Sequence, residues 1–243
     1  MRCILRMNVT SMNPSSELQK SIVEVPDLVQ VPEDLLNQAK EFQIAMMMYA
    51  CAIREVKTRL EVLNDDLSVR NQRSPIEMIK TRVKRPKSIV DKLLRRDLPI
   101  SLESMLNNLD DVAGIRVICS FVDDIYAVAN MLVSQDDITV IAIKDYIKTP
   151  KSNGYRSYHL IMDVPVFFSD QKKSMRVEVQ IRTIAMDFWA SLDHQLKYKK
   201  NITAEADSIS EELRKCAEVI AGTDFKMLEI RKSIEAQGGK VHK

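Results

Sequence analysis

The hydrophobic positions of the chain change period several times, and each change marks an element. Residues 1–31 mix Ser, Asn and Pro with no sustained period, and Pro14, Pro26 and Pro32 interrupt any regular structure, so a flexible N-terminal segment is expected there. From Pro32 onward Ala39, Phe42, Met46, Tyr49, Ile53, Val56, Leu60 and Leu63 step by three and four, the narrow seam of a long helix. Near the other end Ile209, Leu213, Cys216, Ile220, Met227, Ile230 and Ile234 keep the same stepping, with Thr223 its weak position. Two narrow seams at the two ends of a chain predict pairing, either with each other or across a subunit boundary.

Between them the pattern is mixed. Ser74-Pro75 ahead of I-E-M-I-K, with Glu77 three residues after Ser74, has the form of a capping box with Pro at the first helical position and predicts a helix. A helix is expected from about Lys87 to Arg95, a buried strand over 112–119, an amphipathic helix over 122–133 and a strand over 137–145. Asn153-Gly154 is a turn signal leading into a strand from Tyr155 to Val164, and a helix follows from Ile184 to about Lys199. The strictest alternation is S-M-R-V-E-V-Q-I-R-T, residues 174–183: Met175, Val177, Val179 and Ile181 fall on one side of an extended chain, Arg176, Glu178, Gln180 and Arg182 on the other. This order predicts one α/β (α+β) domain over residues 32–200, a mixed β-sheet of about five strands flanked by helices, with 201–243 a C-terminal helical extension suited to oligomerisation.

Composition narrows the class. With 243 residues, 45% hydrophobic and 29% charged, the chain has the make-up of a soluble globular protein able to bury a core. Its net charge is +2, so any anion site must come from local clustering. The longest apolar run, Ile44 to Ile53, has ten residues, where a membrane span needs roughly twenty. The opening M-R-C-I-L-R-M is too short and interrupted for a secretory signal. Cys3, Cys51, Cys119 and Cys216 are scattered, suggesting neither zinc nor a disulfide framework and fitting a reducing cytoplasm without a membrane partner.

Four stretches carry candidate chemistry. From Lys80 to Arg96 there are eight basic residues (Lys80, Arg82, Lys84, Arg85, Lys87, Lys92, Arg95, Arg96) against one acid, Asp91, with Ser88 at an expected helix start. That imbalance reads as a phosphate site or as a plain surface patch. In D-D-V-A-G-I-R-V-I-C, residues 110–119, Arg116 lies in an apolar strand and needs an anion, a carboxylate or an aromatic face. Asp111 at the strand's leading end reads equally as a magnesium ligand or as half of a structural Asp–Arg pair. In N-G-Y-R-S-Y-H an extended chain puts Tyr155, Ser157 and His159 on one face, suited to a nucleobase and equally ordinary in a half-buried strand. The fourth, V-E-V-Q-I-R-T-I-A-M-D-F-W-A-S-L-D-H, flanks a carboxylate with arginines, a set able to hold a metal and take a proton while neutralising phosphate.

In this order, R-V-K in a basic cluster, D-x-A-G-x-R, N-G-Y-R-S-x-H and V-E-x-Q-I-R-T with A-M-D-F-W-A-S-x-x-H, the motifs strongly resemble the small alarmone synthetases. These are the single-domain relatives of the Rel/SpoT stringent-response enzymes, and the resemblance covers about residues 75–200. It implies a nucleotidyltransferase-like sheet and transfer of pyrophosphate from ATP to the ribose 3′-hydroxyl of GTP or GDP, giving (p)ppGpp and AMP. By the same resemblance Arg82 and Arg116 would sandwich adenine, and Lys84, Ser88, Lys92 and Arg95 would hold the ATP phosphates. Asp111 and Glu178 would bind Mg2+, with Glu178 also the general base; Tyr155 would stack on guanine and Asp187 accept from its N1 and N2 donors. Lys144, Lys151, His159, Gln180 and Asp193 would complete the acceptor pocket. A homotetramer is implied too. The chain has only His159, His194 and His242 and no H-D dipeptide, so synthesis without hydrolysis is expected. The rival reading is a non-catalytic RNA- or ribosome-binding module using residues 80–96, which leaves Asp111 and Glu178 without purpose.

Overall fold

The structure, a computed structural model, describes residues 32–71, 73–198 and 206–238. In chain order the elements are α1 (Glu33–Asn71), β1 (Ile76–Val83), α2 (Pro86–Leu94), α3 (Leu102–Asn108), β2 (Ala113–Cys119), α4 (Val122–Val133), β3 (Thr139–Asp145), β4 (Tyr158–Phe167), β5 (Lys172–Thr183), α5 (Ile184–Tyr198) and α6 (Ala206–Gly238). The chain divides into two compact units, 1–39 and 40–243. Of the first, the described residues 32–39 open α1, where the Leu35 and Leu36 amides both donate to the Pro32 carbonyl. The expectation for residues 1–31 lies outside the described residues. No described helix is long and apolar enough to cross a membrane.

The second unit is built on one five-stranded sheet of order β1-β2-β5-β4-β3. β2 and β5 run parallel, and the other neighbours pair antiparallel, so the sheet is mixed as expected. The alternation of residues 174–183 becomes the central strand β5, flanked by β2 and β4. Met175, Val177, Val179 and Ile181 are buried, packed in one core with Ile115 and Val117 of β2, Leu160, Met162 and Val164 of β4, Ile125, Val128 and Leu132 of α4, and Tyr49, Val56 and Leu60 of α1. The opposite face carries Arg176, Glu178 and Gln180, half-buried, and Arg182, buried.

Several sequence expectations are corrected. The capping-box helix at residues 74–80 does not form; that stretch is the edge strand β1, paired with β2. Pairing outweighs the local cap because Ile76, Ile79, Thr81 and Val83 are β-branched. The would-be capping groups are used otherwise: Asn64 Nδ2 donates to Ser74 Oγ, Asn64 Oδ1 accepts from the Ile76 amide, and Glu77 accepts from Ser120. The short α3, capped by Ser101, had no prediction. β4 begins at Tyr158 rather than Tyr155, since Gly154 adopts φ 86° and the chain is still turning. In α1 the buried face adds Ala45, Met48 and Ala52 to the seam, while Ala39 is exposed. In α6 the face that packs on α5 and α4 centres on Ala217, Asp224 and Leu228, about a quarter turn from the predicted seam. Cys216, Met227, Ile230 and Ile234 of that seam are exposed in the single chain.

Candidate active site

Register alone assembles the site. Across the sheet Lys80 pairs with Arg116, Arg116 with Gln180, Gln180 with His159, and His159 with Lys144, so one row of side chains from five strands shares the open face. In the parallel row beside it Arg82 faces Gly114, and Gly114 faces Glu178. A Cβ on Gly114 would have the Arg82 carbonyl as its nearest neighbour at 3.6 Å, so the backbone tolerates one; the missing side chain leaves the space between Arg82 and Glu178. That space is a cavity of about 290 Å³ lined by Arg82, Gly114, Arg116, Glu178 and Gln180. Larger cavities lie either side, about 730 Å³ lined by Arg82, Lys84, Arg85, Ser88 and Arg95, and about 750 Å³ lined by Arg116, Tyr155, Gln180, Arg182 and Asp193. Arg82 borders all three, so they form one groove with Glu178 near its middle.

Glu178 is held by donors on both oxygens. His159 Nδ1 lies 3.2 Å from Oε1, and Gln180 Nε2 donates to Oε2 at 2.9 Å. Burial pushes this carboxyl up and the Asp111 charge adds to that, but the bonds from His159 and Gln180 outweigh both and leave it below its ordinary value. Electrostatic coupling to Asp111 marks the two carboxylates as neighbours.

Asp111, just before β2, is clamped by Lys84 Nζ at 2.6 Å and Lys92 Nζ at 2.7 Å. Burial pushes its carboxyl up, yet the two ammonium groups hold it below the ordinary range. The alternative of an Asp111–Arg116 pair is therefore not realised. Lys84 takes Oδ2 and Lys92 takes the buried Oδ1, so each oxygen has one ammonium partner. The lone pair left on each oxygen, a second carboxylate close enough to feel the Asp111 charge and the cation-lined cavity beside Lys84 fit a magnesium ion completed by nucleotide oxygens and water. Among the described residues no cluster of three His, Cys, Asp or Glu forms a metal cage of its own. α2 presents Ser88 to the same cavity, and the Pro86 start of that helix has no side-chain cap over its first amides. Arg95 lines this cavity, whereas Arg96 turns away to the Asn108 carbonyl.

Arg116 finds its anion in Asp187 at 3.2 Å, which also accepts from Lys80 at 3.3 Å and Arg182 at 3.2 Å. Burial first, then the nearby Arg182 charge, holds the Arg116 pKa below its ordinary value. Three cations around one carboxylate leave this end of the groove electropositive. Arg176 is occupied structurally, clamped by Asp163 and Asp110.

The other side is an aromatic cage. Tyr146, Tyr155 and His159 meet edge to face with centroids 5.2–6.0 Å apart, and Lys151 Nζ stands 4.7 Å over Tyr146 and 5.0 Å over Tyr155. α6 supports the loop that carries Tyr155: a Cβ on Gly154 would come within 2.5 Å of Ala217 Cβ, and Arg156 Nη1 bonds the Ala217 carbonyl. It also steadies the start of α5, where Asp224 accepts from Thr183 Oγ1 at 2.6 Å and Thr183 caps the Met186 amide. Burial raises the Asp224 carboxyl, with the Thr183 bond opposing. An acid raised in the folded state costs stability as pH climbs from its unfolded value through its folded one. Asp224→Asn, which still accepts from Thr183, is therefore expected to gain stability over the parent at pH 7, the gain vanishing at about pH 4 and below; urea unfolding at both pH values measures this.

Of the residues expected at the site, Arg82, Lys84, Ser88, Arg95, Arg116, Tyr155, Glu178, Gln180 and Asp193 line these cavities, Lys92, Asp111, Lys151, His159 and Asp187 contact members of that set or one another, and Lys144 pairs with His159. Tyr146 and Arg182 were missed as site residues. Arg182 shares the period-two face of Glu178, a signal that was present; Tyr146 lies just past a strand end, where no period predicts direction.

A family model described as a region found in RelA / SpoT proteins matches residues 81–203. The chain is 40% identical over 215 residues to GTP pyrophosphokinase YwaC of Bacillus subtilis (strain 168), covering 88% of this chain and 99% of that protein. Among solved structures it is similar to small alarmone synthetase 1 from Bacillus subtilis bound to its product pppGpp, with TM-score 0.71, 36% identity and coverage of 81% of this chain and 99% of the other. The same protein bound to AMPCPP gives TM-score 0.66 at 33% identity, covering 81% and 98%.

Proposed function

The chain belongs to the RelA/SpoT family as a small alarmone synthetase, and from that premise we propose how its groove works. The protein is a GTP pyrophosphokinase that moves the β,γ-pyrophosphate of ATP onto the 3′-hydroxyl of GTP or GDP, making (p)ppGpp and AMP. The observation that carries the assignment of parts is the position of Glu178 between a basic cavity and an aromatic one, with Arg82 common to both.

ATP lies in the basic cavity, its adenine between Arg82 and Arg116 and its phosphates on Lys84, Ser88, Lys92 and Arg95. GTP or GDP lies in the cage, with guanine on Tyr155 and its phosphates toward Lys144 and Lys151. Asp187 and Asp193 border the base; Asp187 shares its oxygens with three cations, two on Oδ1 and one on Oδ2, so it accepts from guanine through the lone pair left on Oδ2. Glu178 takes the proton from the 3′-hydroxyl as that oxygen attacks the β-phosphorus, the α,β-bridging bond breaks and AMP leaves. His159 and Gln180 each use one lone pair of a Glu178 oxygen and leave another free. Asp111 and Glu178 would hold Mg2+, which when bound supplies charge stabilisation to the phosphates and the developing alkoxide. General-base help is worth typically 10²–10⁴-fold, so alignment of the two nucleotides supplies much of the remainder.

The two-cavity assignment is tested by Tyr155→Ala. Its KM for GTP or GDP is expected to rise about tenfold or more, matching 1–3 kcal/mol for base stacking, while the KM for ATP stays within about twofold; equal effects on both nucleotides would refute it. The protein is proposed to act in the cytoplasm, where its substrates are, as a homotetramer whose interface uses the exposed apolar seam of α6. The RNA-module reading is not favoured: the relative is a named pyrophosphokinase, and two carboxylates in the groove would repel a nucleic-acid backbone.

A further inference from the structure

Five side chains, Glu178 among them, close into a ring of hydrogen bonds. Arg182 Nη2 donates to Tyr155 Oη at 2.6 Å, Tyr155 Oη meets His159 Nε2 at 2.9 Å, and His159 Nδ1 meets Glu178 Oε1 at 3.2 Å. On the other arm the same Arg182 Nη2 donates to Gln180 Oε1 at 2.9 Å, and Gln180 Nε2 donates to Glu178 Oε2 at 2.9 Å. The guanidinium is 4% exposed and is otherwise held by Ser157 Oγ at 3.3 Å and Asp187 at 3.2 Å.

We propose that Arg182 is a positioning residue that fixes the direction of every hydrogen bond in this ring and thereby aims the base. The inference rests on the assignment of Glu178 as base. A guanidinium can only donate. Donation to Tyr155 Oη turns that hydroxyl's proton away from Arg182 and toward His159 Nε2, and because the Glu178 carboxylate can only accept, His159 carries its own proton on Nδ1 and gives it to Glu178. Donation to Gln180 turns the amide oxygen toward Arg182 and its NH2 toward Glu178, choosing between two orientations of equal shape. Both arms therefore end as donors on the same carboxylate, one on each oxygen. When Glu178 takes the substrate proton it ceases to be an acceptor-only end of the ring, and Arg182 alone still imposes the direction. The same contact fixes the Tyr155 ring, with the guanidinium carbon 5.1 Å from its centroid, so one residue links the acceptor pocket to the reacting carboxylate.

The test compares Arg182→Lys, which still only donates, with Arg182→Gln, which can also accept and so can reverse the ring. In folded protein, Arg182→Gln is expected to lower kcat about 10²-fold, the scale of a small misplacement of reacting groups. Arg182→Lys is expected to lose only about three- to tenfold, and the KM for ATP should change less than about threefold in both. Tyr155→Phe should cost about tenfold in the parent and less than about twofold in Arg182→Gln, because the bond it deletes is already misdirected. Equal kcat for the two Arg182 variants, or the same Tyr155→Phe penalty in both backgrounds, would overturn the proposal. Should Arg182→Gln not fold, Arg182→Lys decides, since a parental kcat there contradicts the need for a fork that reaches both arms. Glu178→Gln is assayed alongside: activity there defeats the base assignment itself, whereas an inactive Glu178→Gln with a fully active Arg182→Gln defeats only the present inference.

Discussion

Replacing Glu178 with glutamine is expected to lower kcat by about 10²–10⁴-fold, the range for loss of a general base, and by more if the metal is lost with it. Nucleotide dissociation constants should change little, because the residues proposed to hold adenine, guanine and phosphates all lie elsewhere in the groove. The amide keeps the size of the carboxylate but not its acceptor pair. Its NH2 would face a donor, either Gln180 Nε2 or the proton on His159 Nδ1, so the substitution also disturbs the arms that orient it. Steady-state kinetics with calorimetric binding of ATP and GDP separate these effects, and near-parental turnover would contradict the role given to Glu178.

Asp111→Asn has the second large expected effect, and it acts on two properties at once. The carboxylate is the shared counter-ion of Lys84 and Lys92, whose side chains are 11% and 20% exposed. Removing its charge leaves two largely buried ammonium groups facing each other. Breaking a fully buried pair costs 3–5 kcal/mol; water at the groove screens this one, so a loss of about 2 kcal/mol is expected. The same change deletes one of two proposed metal ligands, so half-maximal activity should require at least tenfold more Mg2+, the scale of losing a ligand or its support. Denaturant unfolding reads the first effect and magnesium titration of activity reads the second. An unchanged magnesium requirement would remove Asp111 from the metal site.

How far the site could be read from sequence depends on which force placed each residue. β5 was legible because period two and burial of one face fix its register together: a slip by one residue would bury Arg176, Glu178 and Gln180. The residues of β1 were legible as a basic cluster but not as a strand. Local capping signals and β-branched content compete there, and only pairing with β2 decides between them. The Gly114 gap became meaningful once the register set it between Arg82 and Glu178. Arg182 was visible on the right face, but its importance lies in four bonds to residues 155, 157, 180 and 187, which no local pattern encodes. The α6 seam was read from hydrophobic stepping alone. The packed face is set instead by small Ala217, where the Gly154 turn approaches too closely for a larger side chain. Cys216, Met227, Ile230 and Ile234 of the seam are left facing outward.

The central claim is that the groove joins two nucleotides so that a 3′-hydroxyl attacks the β-phosphorus of ATP. Incubation with GDP, magnesium and ATP labelled in its β- and γ-phosphates tests this most directly. The account predicts that the label appears in ppGpp together with an equimolar amount of unlabelled AMP; release of the label as free pyrophosphate, or formation of ADP, would contradict it.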